Sequence, residues 1–490
     1  MELFGQSETL DDMSVEDFRS AAHHLIEWIS NYQEEIETFP VLPQVEPGDI
    51  SSKCVNALTV EGESYQEIFQ DFESIILPGI THWNHPGFFA YFADGGSAPG
   101  LLGEMLSAAL NVNVMLWKTS PAGTELEEVT LDMLRSLVGL PTEFFGVIND
   151  SASSSSLYAL AAARNKAFPE IGRFGMFGLP KGRIYTSEQS HSSIDKAGIT
   201  LGFGTDGVCK VEVDSQYRMS QNALRRSIEE DLEAGVVPVA VVATIGTTSS
   251  SSIDPVNEIA QISREYDIWL HVDAAYGGPA AILNELRPYF TGWEKADSIV
   301  MNPHKWLFTP VDCSVLYCQN REEFSRAFSI IPEYLQGGSD QGTNLMDYGV
   351  SLGRRFRSLK LWFVLRYFGK QGLARGIRGH CKMASDFSSW VVAHPEWELV
   401  APTPFSTVVF RYIGKDLSPE QQDSCNSQIL ERVNRTGEMF ISDTRLDGKV
   451  VLRLCIGNIQ SKEHHIQNAW NLLQKSSMQI TVRNGSLSKL

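Results

Sequence analysis

The chain is short of cysteine, of positive charge and of long apolar runs, and each shortage removes a class of protein. Seven cysteines (Cys54, Cys209, Cys313, Cys318, Cys381, Cys425 and Cys455) are scattered over 490 residues. An odd number without paired spacing gives neither a disulfide framework nor a zinc site, and it reads as free thiols in a reducing compartment. Forty Lys and Arg against 60 Asp and Glu leave a formal net charge of −20. Such a surface repels phosphate backbones, so no nucleic-acid partner is expected. No apolar stretch approaches the length that spans a bilayer, so no membrane partner is expected either. The start, Met1-Glu2-Leu3-Phe4-Gly5, lacks the basic and apolar regions of a signal peptide. The expected location is therefore cytoplasmic. The final Ser488-Lys489-Leu490 matches a peroxisomal address and leaves that compartment open for a eukaryotic chain.

What is present is the composition of a soluble globular protein, 43% apolar and 20% charged, in a chain long enough for two or three domains. Residues 14–32 form one expected helix, with Phe18, Ala22, Leu25, Ile29 and Tyr32 at helical spacing and Ser14 with Asp17 as a capping box. A second helix is expected near 64–76. This segment is too small for a core and should pack on something else, such as another subunit. From about 98 to 370, short β-branched runs without alternation (183–186, 208–213, 238–244, 268–272, 298–301 and 312–317) are separated by helical stretches. That pattern predicts a doubly wound, mostly parallel sheet covered on both faces. Asp254 reads as the N-cap of a helix with Pro255 in its first turn. Beyond 371 a smaller α+β domain is expected, with strands at 405–411 and 450–456 and a last helix near 461–475. The expected division is thus 1–97, an N-terminal helical arm; 98–370, a large α/β domain; and 371–490, the small domain.

Two segments carry the chemistry. Asn302-Pro303-His304-Lys305-Trp306 puts a lysine after the apolar run Ser298-Ile299-Val300-Met301. About thirty residues earlier, His271-Val272-Asp273-Ala274-Ala275-Tyr276 puts a carboxylate at the end of a buried-looking strand. A lysine amine can bond an aldehyde cofactor, and a buried aspartate can keep a pyridine nitrogen protonated. Those are the two requirements of pyridoxal 5′-phosphate (PLP) chemistry. Taken singly, each residue reads as a surface lysine or a capping aspartate; the pair in this order points to PLP. The serine-rich Asp150-Ser151-Ala152-Ser153-Ser154-Ser155-Ser156 enters an Ala-rich helix. It reads as simple capping or, beside such a lysine, as a phosphate site at a helix N-terminus. Gly246-Thr247-Thr248 offers another hydroxyl turn, and His191 can stack on a pyridine ring or simply satisfy its loop.

Further motifs make a family resemblance specific. They are His82-Trp83 with Phe89-Ala90-Tyr91-Phe92, Ser120-Pro121 with Thr124-Glu125-Leu126-Glu127, Ser187 to Ser193, and Gly353-Arg354-Arg355-Phe356-Arg357-Ser358-Leu359-Lys360. From about residue 10 to 475 the chain resembles the aromatic-L-amino-acid decarboxylases of the group II PLP-dependent decarboxylase family. The resemblance implies the fold type I of PLP-dependent transferases and a homodimer whose active sites use both subunits. It implies that Lys305 bonds the cofactor, that Asp273 pairs with its ring nitrogen, and that His191 stacks over the ring and contacts the substrate carboxylate. Ala152, Ser153, Asn302 and His304 would surround the phosphate or the lysine, with Thr248 and Ala275 along the ring. Tyr334 would protonate Cα from the neighbouring subunit; relatives with phenylalanine there release an aldehyde, ammonia and peroxide.

The same resemblance places Trp83, Tyr91 and Phe92 around an aromatic side chain, with Phe92 equally readable as core. Gly353 leaves room for a bulky ring. Asp94, Asn113 and Met115 depart from the animal pattern, which has threonine at the first position and apolar or aromatic residues at the other two. A carboxylate at Asp94 can accept a hydrogen bond from a phenol, catechol or indole N–H, and it disfavours acidic substrates. The expected reaction is decarboxylation of tryptophan, DOPA, tyrosine or phenylalanine to the amine. The alternatives are an aromatic acetaldehyde synthase and a non-aromatic decarboxylase such as one for histidine. No metal site is expected.

Overall fold

A computed structural model describes residues 10–54, 58–92, 94–329 and 342–487. Tyr334 and the tripeptide Ser488-Lys489-Leu490 lie outside the described residues. The chain starts with α1 (Val15–Glu34) and α2 (Tyr65–Asp71), then α3 (Ala98–Leu110), α4 (Pro121–Val138) and α5 (Ala152–Ala167). Ser14 caps α1 by accepting the Asp17 N–H, yet no residue of α1 is buried. Of its apolar stripe, Phe18 and Leu25 are exposed in this single chain, while Ala22, Ile29 and Tyr32 are half-buried.

Seven strands build the large sheet: β1 (Phe145–Asn149), β2 (Gly182–Ser187), β3 (Val208–Val211), β4 (Val237–Thr244), β5 (Trp269–Asp273), β6 (Ser298–Met301) and β7 (Ser314–Cys318). Their order is β1-β7-β6-β5-β4-β2-β3, and only β7 runs antiparallel to its neighbours. Every residue of β5, β6 and β7 is buried, which explains runs that never alternate in polarity. Successive side chains nonetheless serve opposite faces. Val241, Ala243, Leu270, Val272 and Ile299 join α4 and the helices Gln221–Glu233 and Val256–Glu265 in one core. Ala240, Val242, Trp269 and Val300 join the alanines of α5 in the other. No helix among the described residues is long and apolar enough to cross a membrane.

The small sheet, β8 (Trp397–Leu399), β9 (Thr407–Tyr412), β10 (Ser442–Leu446) and β11 (Lys449–Cys455), is antiparallel in the order β10-β11-β9-β8. The helix Ser358–Ala393 leads to it, with a break at Gly369 (φ 59°, ψ 176°), a conformation that glycine alone adopts cheaply.

Three strands escape the sequence reading. β1 contains Gly146, where a Cβ would come within 2.8 Å of the Tyr317 ring, so close packing removed the residue type that signals a strand. β10 is a polar edge, and β8 has three residues. One capping expectation is corrected as well. The helix Val256–Glu265 has Pro255 at its cap position. Asp254 instead turns inward and accepts the N–H groups of Met219 (2.7 Å) and Thr244 (2.8 Å), fastening β4 to the loop before the Gln221–Glu233 helix.

Burial pushes the Asp254 carboxyl up to about 6. Asp254→Ala strands two buried N–H groups and should cost about 2–4 kcal/mol, lowering the thermal midpoint by on the order of 5 °C at pH 7.5. The folded-state value exceeds the unfolded one, so ionisation opposes folding as pH rises from about 4 to about 6. The destabilisation by Asp254→Ala should therefore be larger at pH 5 than at pH 7.5. Melting curves at both pH values check the size and the sign.

Candidate active site

The carboxyl ends of β2, β4, β5 and β6 meet in one region, where ligands bind in open α/β sheets. Asp273 ends β5, pairs with Thr244 and Val300 on the two sides, and accepts the Ala275 N–H at 3.0 Å. The segment after β6 stays bound to the segment after β5. Ala274 N–H donates to the Val300 carbonyl (3.0 Å), and Asn302 N–H donates to the Ala275 carbonyl (3.0 Å). Pro303 then starts a single helical turn, Pro303–Trp306, that delivers Lys305. The spacing of these two motifs along the chain is thus the length of one crossover between adjacent parallel strands.

Three stacked rings support the lysine. Phe92 lies on Tyr276 (centroids 4.2 Å apart) and Tyr276 on Trp306 (5.0 Å). The Lys305 Nζ sits over the Phe92 ring, 4.8 Å from its centroid. Trp306 donates its indole N–H to His380 Nδ1 (3.0 Å), which fixes the residue next to the lysine. Burial lowers the Lys305 amine from its ordinary value, while Asp94 and Asp273 pull it back up. A lowered value leaves more neutral amine, the form that attacks an aldehyde.

His191 follows β2 through a short turn. Ser193 N–H donates to its Nδ1 (3.1 Å), so a neutral ring carries its proton on Nε2. Burial lowers His191 below the usual histidine value, and Asp273 and Lys305 act on it in opposite directions. At neutral pH it is an uncharged donor beside both residues. His304 is turned the other way: its Nδ1 accepts the Cys313 N–H (2.9 Å), and burial pushes it down to about 3.

Several buried oxygens here have no partner among the described residues: Ser187 Oγ, Thr244 Oγ1, Asn302 Oδ1 and Asp94 Oδ1. They sit at the ends of β2 and β4, after β6, and before α3. Orphaned polar atoms gathered at one sheet end are what a polar ligand satisfies. Ser151 caps α5 by accepting the Ser154 N–H (3.2 Å), so the capping duty falls one residue before Ala152 and Ser153. The first N–H groups of α5 have no intrahelical acceptor and suit a phosphate. Gly246 (φ 88°) turns the chain after β4 so that Thr248 follows at the same sheet end. A buried amine, a carboxylate on the neighbouring strand and a helix N-terminus together fit pyridoxal phosphate.

Other expected positions separate. Trp83 and Tyr91 stack at 6.1 Å, with 37% and 52% of their surfaces exposed. Asn113, Met115 and Gly353 form a second group: Arg354 N–H donates to Asn113 Oδ1 (2.9 Å), and the Asn113 amide lies 3.7 Å from the Met115 sulfur. Gly353 lines a polar cavity of about 420 Å³ with Asp150, Ser154 and Arg357. No hydrogen bond or ion pair among the described residues links that group to Lys305. A third set, Glu37, His464 and His465, has metal-ligand spacing. His465 Nδ1 accepts the Lys462 N–H (2.9 Å), which keeps the proton of the neutral ring on Nε2. That tautomer has no lone pair to offer a cation.

Comparison with known proteins agrees with this geometry. The pyridoxal-dependent decarboxylase conserved domain matches residues 47–413. The chain is 39% identical to a phenylacetaldehyde synthase of Arabidopsis thaliana, over 96% of this chain and 98% of the relative. It is 40% identical to tyrosine decarboxylase 2 of Narcissus pseudonarcissus, over 95% of each. The crystal structure of Oryza sativa TDC with PLP and tryptamine superposes with a TM-score of 0.93 at 35% identity, covering 96% of this chain and all of that one. The chain belongs to the pyridoxal-dependent decarboxylase family, and its cofactor is pyridoxal phosphate.

The sequence reading missed Arg453, buried in β11 with its guanidinium 5.4 Å from the Phe92 ring, on hydrogen bonds to Ser442 Oγ (3.1 Å) and the Tyr91 carbonyl (3.5 Å). A lone arginine inside the apolar run Val450-Val451-Leu452-Arg453-Leu454 was the available signal. It also missed His271, held between Ser156 Oγ (3.0 Å) and Ser298 Oγ (2.9 Å) beneath the site.

If Asp273 stabilises the protonated cofactor ring, Asp273→Asn should weaken cofactor binding by on the order of 10–100-fold. Fluorescence titration of the apoprotein with pyridoxal phosphate measures this; an unchanged dissociation constant removes Asp273 from the role.

Proposed function

We propose that the chain decarboxylates an aromatic L-amino acid to its amine, with Lys305, Asp273, His191 and Tyr334 as catalytic residues. The observation that carries this reading is the convergence of Lys305, Asp273 and His191 on one sheet end, on top of an aromatic stack. Bound pyridoxal phosphate supplies a sink for the electron pair of the breaking Cα–carboxylate bond. Lys305 would hold the cofactor through its amine. Asp273 would pair its carboxyl group with the ring nitrogen. His191 offers its Nε2–H to the substrate carboxylate and orients the bond that breaks. The N–H groups of Ala152 and Ser153 and the side chain of Asn302 hold the phosphate. His304 braces the lysine turn through Cys313, while Thr248 and Ala275 border the ring.

The substrate ring packs on Phe92, whose face already carries the Lys305 amine. The exposed Trp83 and Tyr91, with Asn113, Met115 and Gly353, form the rest of the substrate pocket once a second copy of the chain is added. That homodimer also covers the unburied apolar side chains of α1 (Phe18, Leu25) and α3 (Leu102, Leu106). The domain limits in this reading are 1–97, 98–370 and 371–490; they coincide with the start of α3 and fall beside the Gly369 break.

A second reading has support in the 39% identity to a phenylacetaldehyde synthase: oxygen-dependent conversion to an aldehyde, ammonia and peroxide. The Tyr334 hydroxyl favours the amine, since it supplies the proton that replaces carbon dioxide at Cα. The test is a product assay in air with tyrosine, DOPA, tryptophan, phenylalanine and histidine, quantifying amine, aldehyde, ammonia and peroxide. Aromatic amine without stoichiometric peroxide is expected. Aldehyde with matching peroxide and ammonia establishes the second reading, and turnover of histidine alone contradicts an aromatic pocket.

A further inference from the structure

A cavity of about 410 Å³ lies apart from the cofactor site and shares no lining residue with it. Its walls are residues 37–40, 85–89 and 436–439 and the helix Glu463–Leu487. Backbone hydrogen bonds fasten these walls to one another. Val41 N–H donates to the Gly437 carbonyl (2.8 Å), and Phe440 N–H donates to the Gly87 carbonyl (3.0 Å). Gly87 packs so closely that a Cβ there would meet the Glu438 carbonyl at 2.5 Å. The cavity is therefore preformed, and it has room for a small organic molecule.

The lining selects a ligand class. Phe89 and Met439 form a buried apolar floor, while Glu37 and Glu438 stand exposed at the rim. Among the described residues no lysine or arginine lines the cavity. Its two histidines are uncharged at neutral pH, since burial pushes His85 down to about 4 and holds His465 below the usual histidine value. The formal charge around the cavity is thus wholly negative, which repels anions and attracts a cation. His465 gives an independent sign of a ligand. It is nine-tenths buried, its Nδ1 accepts the Lys462 N–H, and its Nε2–H makes no hydrogen bond among the described residues. Glu37 Oε2 lies 3.4 Å away, outside hydrogen-bonding geometry. A buried donor left unpaired is costly until a ligand brings an acceptor. One molecule meets all three features if it carries an ammonium group for the carboxylates, an apolar body for the floor, and a hydroxyl oxygen or ring face for the imidazole N–H. Arylalkylamines have that composition.

We propose that this cavity is a second binding site for an aromatic amine, through which the enzyme senses its own product. Naming the amine as product rests on the aromatic decarboxylase reading; the choice of an aromatic cation rests on the cavity alone. Two connections join the cavity to the substrate pocket. The Phe89 carbonyl accepts the Cys455 N–H (2.9 Å), and the chain runs on from Phe89 to Tyr91 and Phe92. The Asn458 amide donates to the His85 carbonyl (3.2 Å) and to the Trp83 carbonyl (3.3 Å). A ligand against Phe89 and His85 therefore bears on the backbone that carries Trp83, Tyr91 and Phe92.

The experiment uses PLP-loaded protein reduced with borohydride, which fixes the cofactor to its lysine so that an added amine cannot bond it. Calorimetry measures tyramine binding to wild type, to Glu37→Gln/Glu438→Gln and to Leu472→Trp, which sets a bulky ring across the cavity. The control ligand is 3-(4-hydroxyphenyl)propionate, the same ring with an acid in place of the amine. Tyramine should bind the wild type, bind about tenfold more weakly without the two carboxylates, and be lost in Leu472→Trp. The acid should not bind. A wild type that takes up no tyramine overturns the proposal, as does binding that either variant leaves unchanged or an acid that binds as well as the amine. In the unreduced enzyme, tyramine should change kcat at saturating aromatic substrate by about twofold or more, and Glu37→Gln/Glu438→Gln should remove that effect. An influence that saturating substrate abolishes puts the amine in the active site alone and overturns the sensing role. Failure of the aromatic reading shows separately, as absence of carbon dioxide release from every aromatic amino acid, and leaves the binding measurement in force.

Discussion

The site depends on one pairing, that of β5 with β6. Because the two strands run parallel and side by side, their carboxyl ends deliver Asp273 and Lys305 to the same place. Pairing continues past the last residues of both strands, through the Ala274 and Asn302 N–H groups, so the loops that carry the reactive side chains are fastened to one another. A parallel sheet buries both faces, and both faces here are covered by apolar side chains. The functional groups are therefore confined to the sheet's end, where backbone and side-chain polar atoms can still find a ligand.

Around that pairing the protein has exchanged polar freedom for fixed geometry. Tyr276 lies between Phe92 and Trp306 while its hydroxyl donates to or accepts from Ser406 Oγ (2.7 Å) and accepts the Ser406 N–H (3.0 Å). One residue thus ties the ring stack under the lysine to the strand β9 region of the small sheet. Beneath the site, His271 spans Ser156 and Ser298, so α5, β5 and β6 share a buried polar bridge. Burial pushes that imidazole down to about 4, and it stays neutral, a spacer of fixed length rather than a proton carrier.

The architecture was legible in the sequence because β-branched runs at crossover spacing have few alternatives. Six of the seven large-sheet strands follow from it; β1 does not, since Gly146 was chosen for contact with Tyr317 and not for strand propensity. The reactive pair was legible because an amine and a carboxylate at successive strand ends have a chemical reason to be there. The substrate pocket was less so. Asp94 enters the pocket in sequence only through the family resemblance; that its Oδ1 is buried and accepts no hydrogen bond among the described residues is a fact of the fold. Trp83 and Tyr91, which resemble pocket walls in sequence, turn out exposed in the single chain. Arg453 and Tyr276 act through contacts between segments far apart in sequence, and the lone arginine in the apolar run of β11 marks the residue without marking its partners.

The central claim is that the amine at Lys305 is the group that bonds the cofactor. Borohydride reduction of the PLP-loaded protein followed by peptide mapping tests it directly. The account predicts a single pyridoxyl adduct on the peptide that contains Lys305, and its loss in Lys305→Ala. An adduct on another lysine, or label of equal extent in the variant, contradicts it.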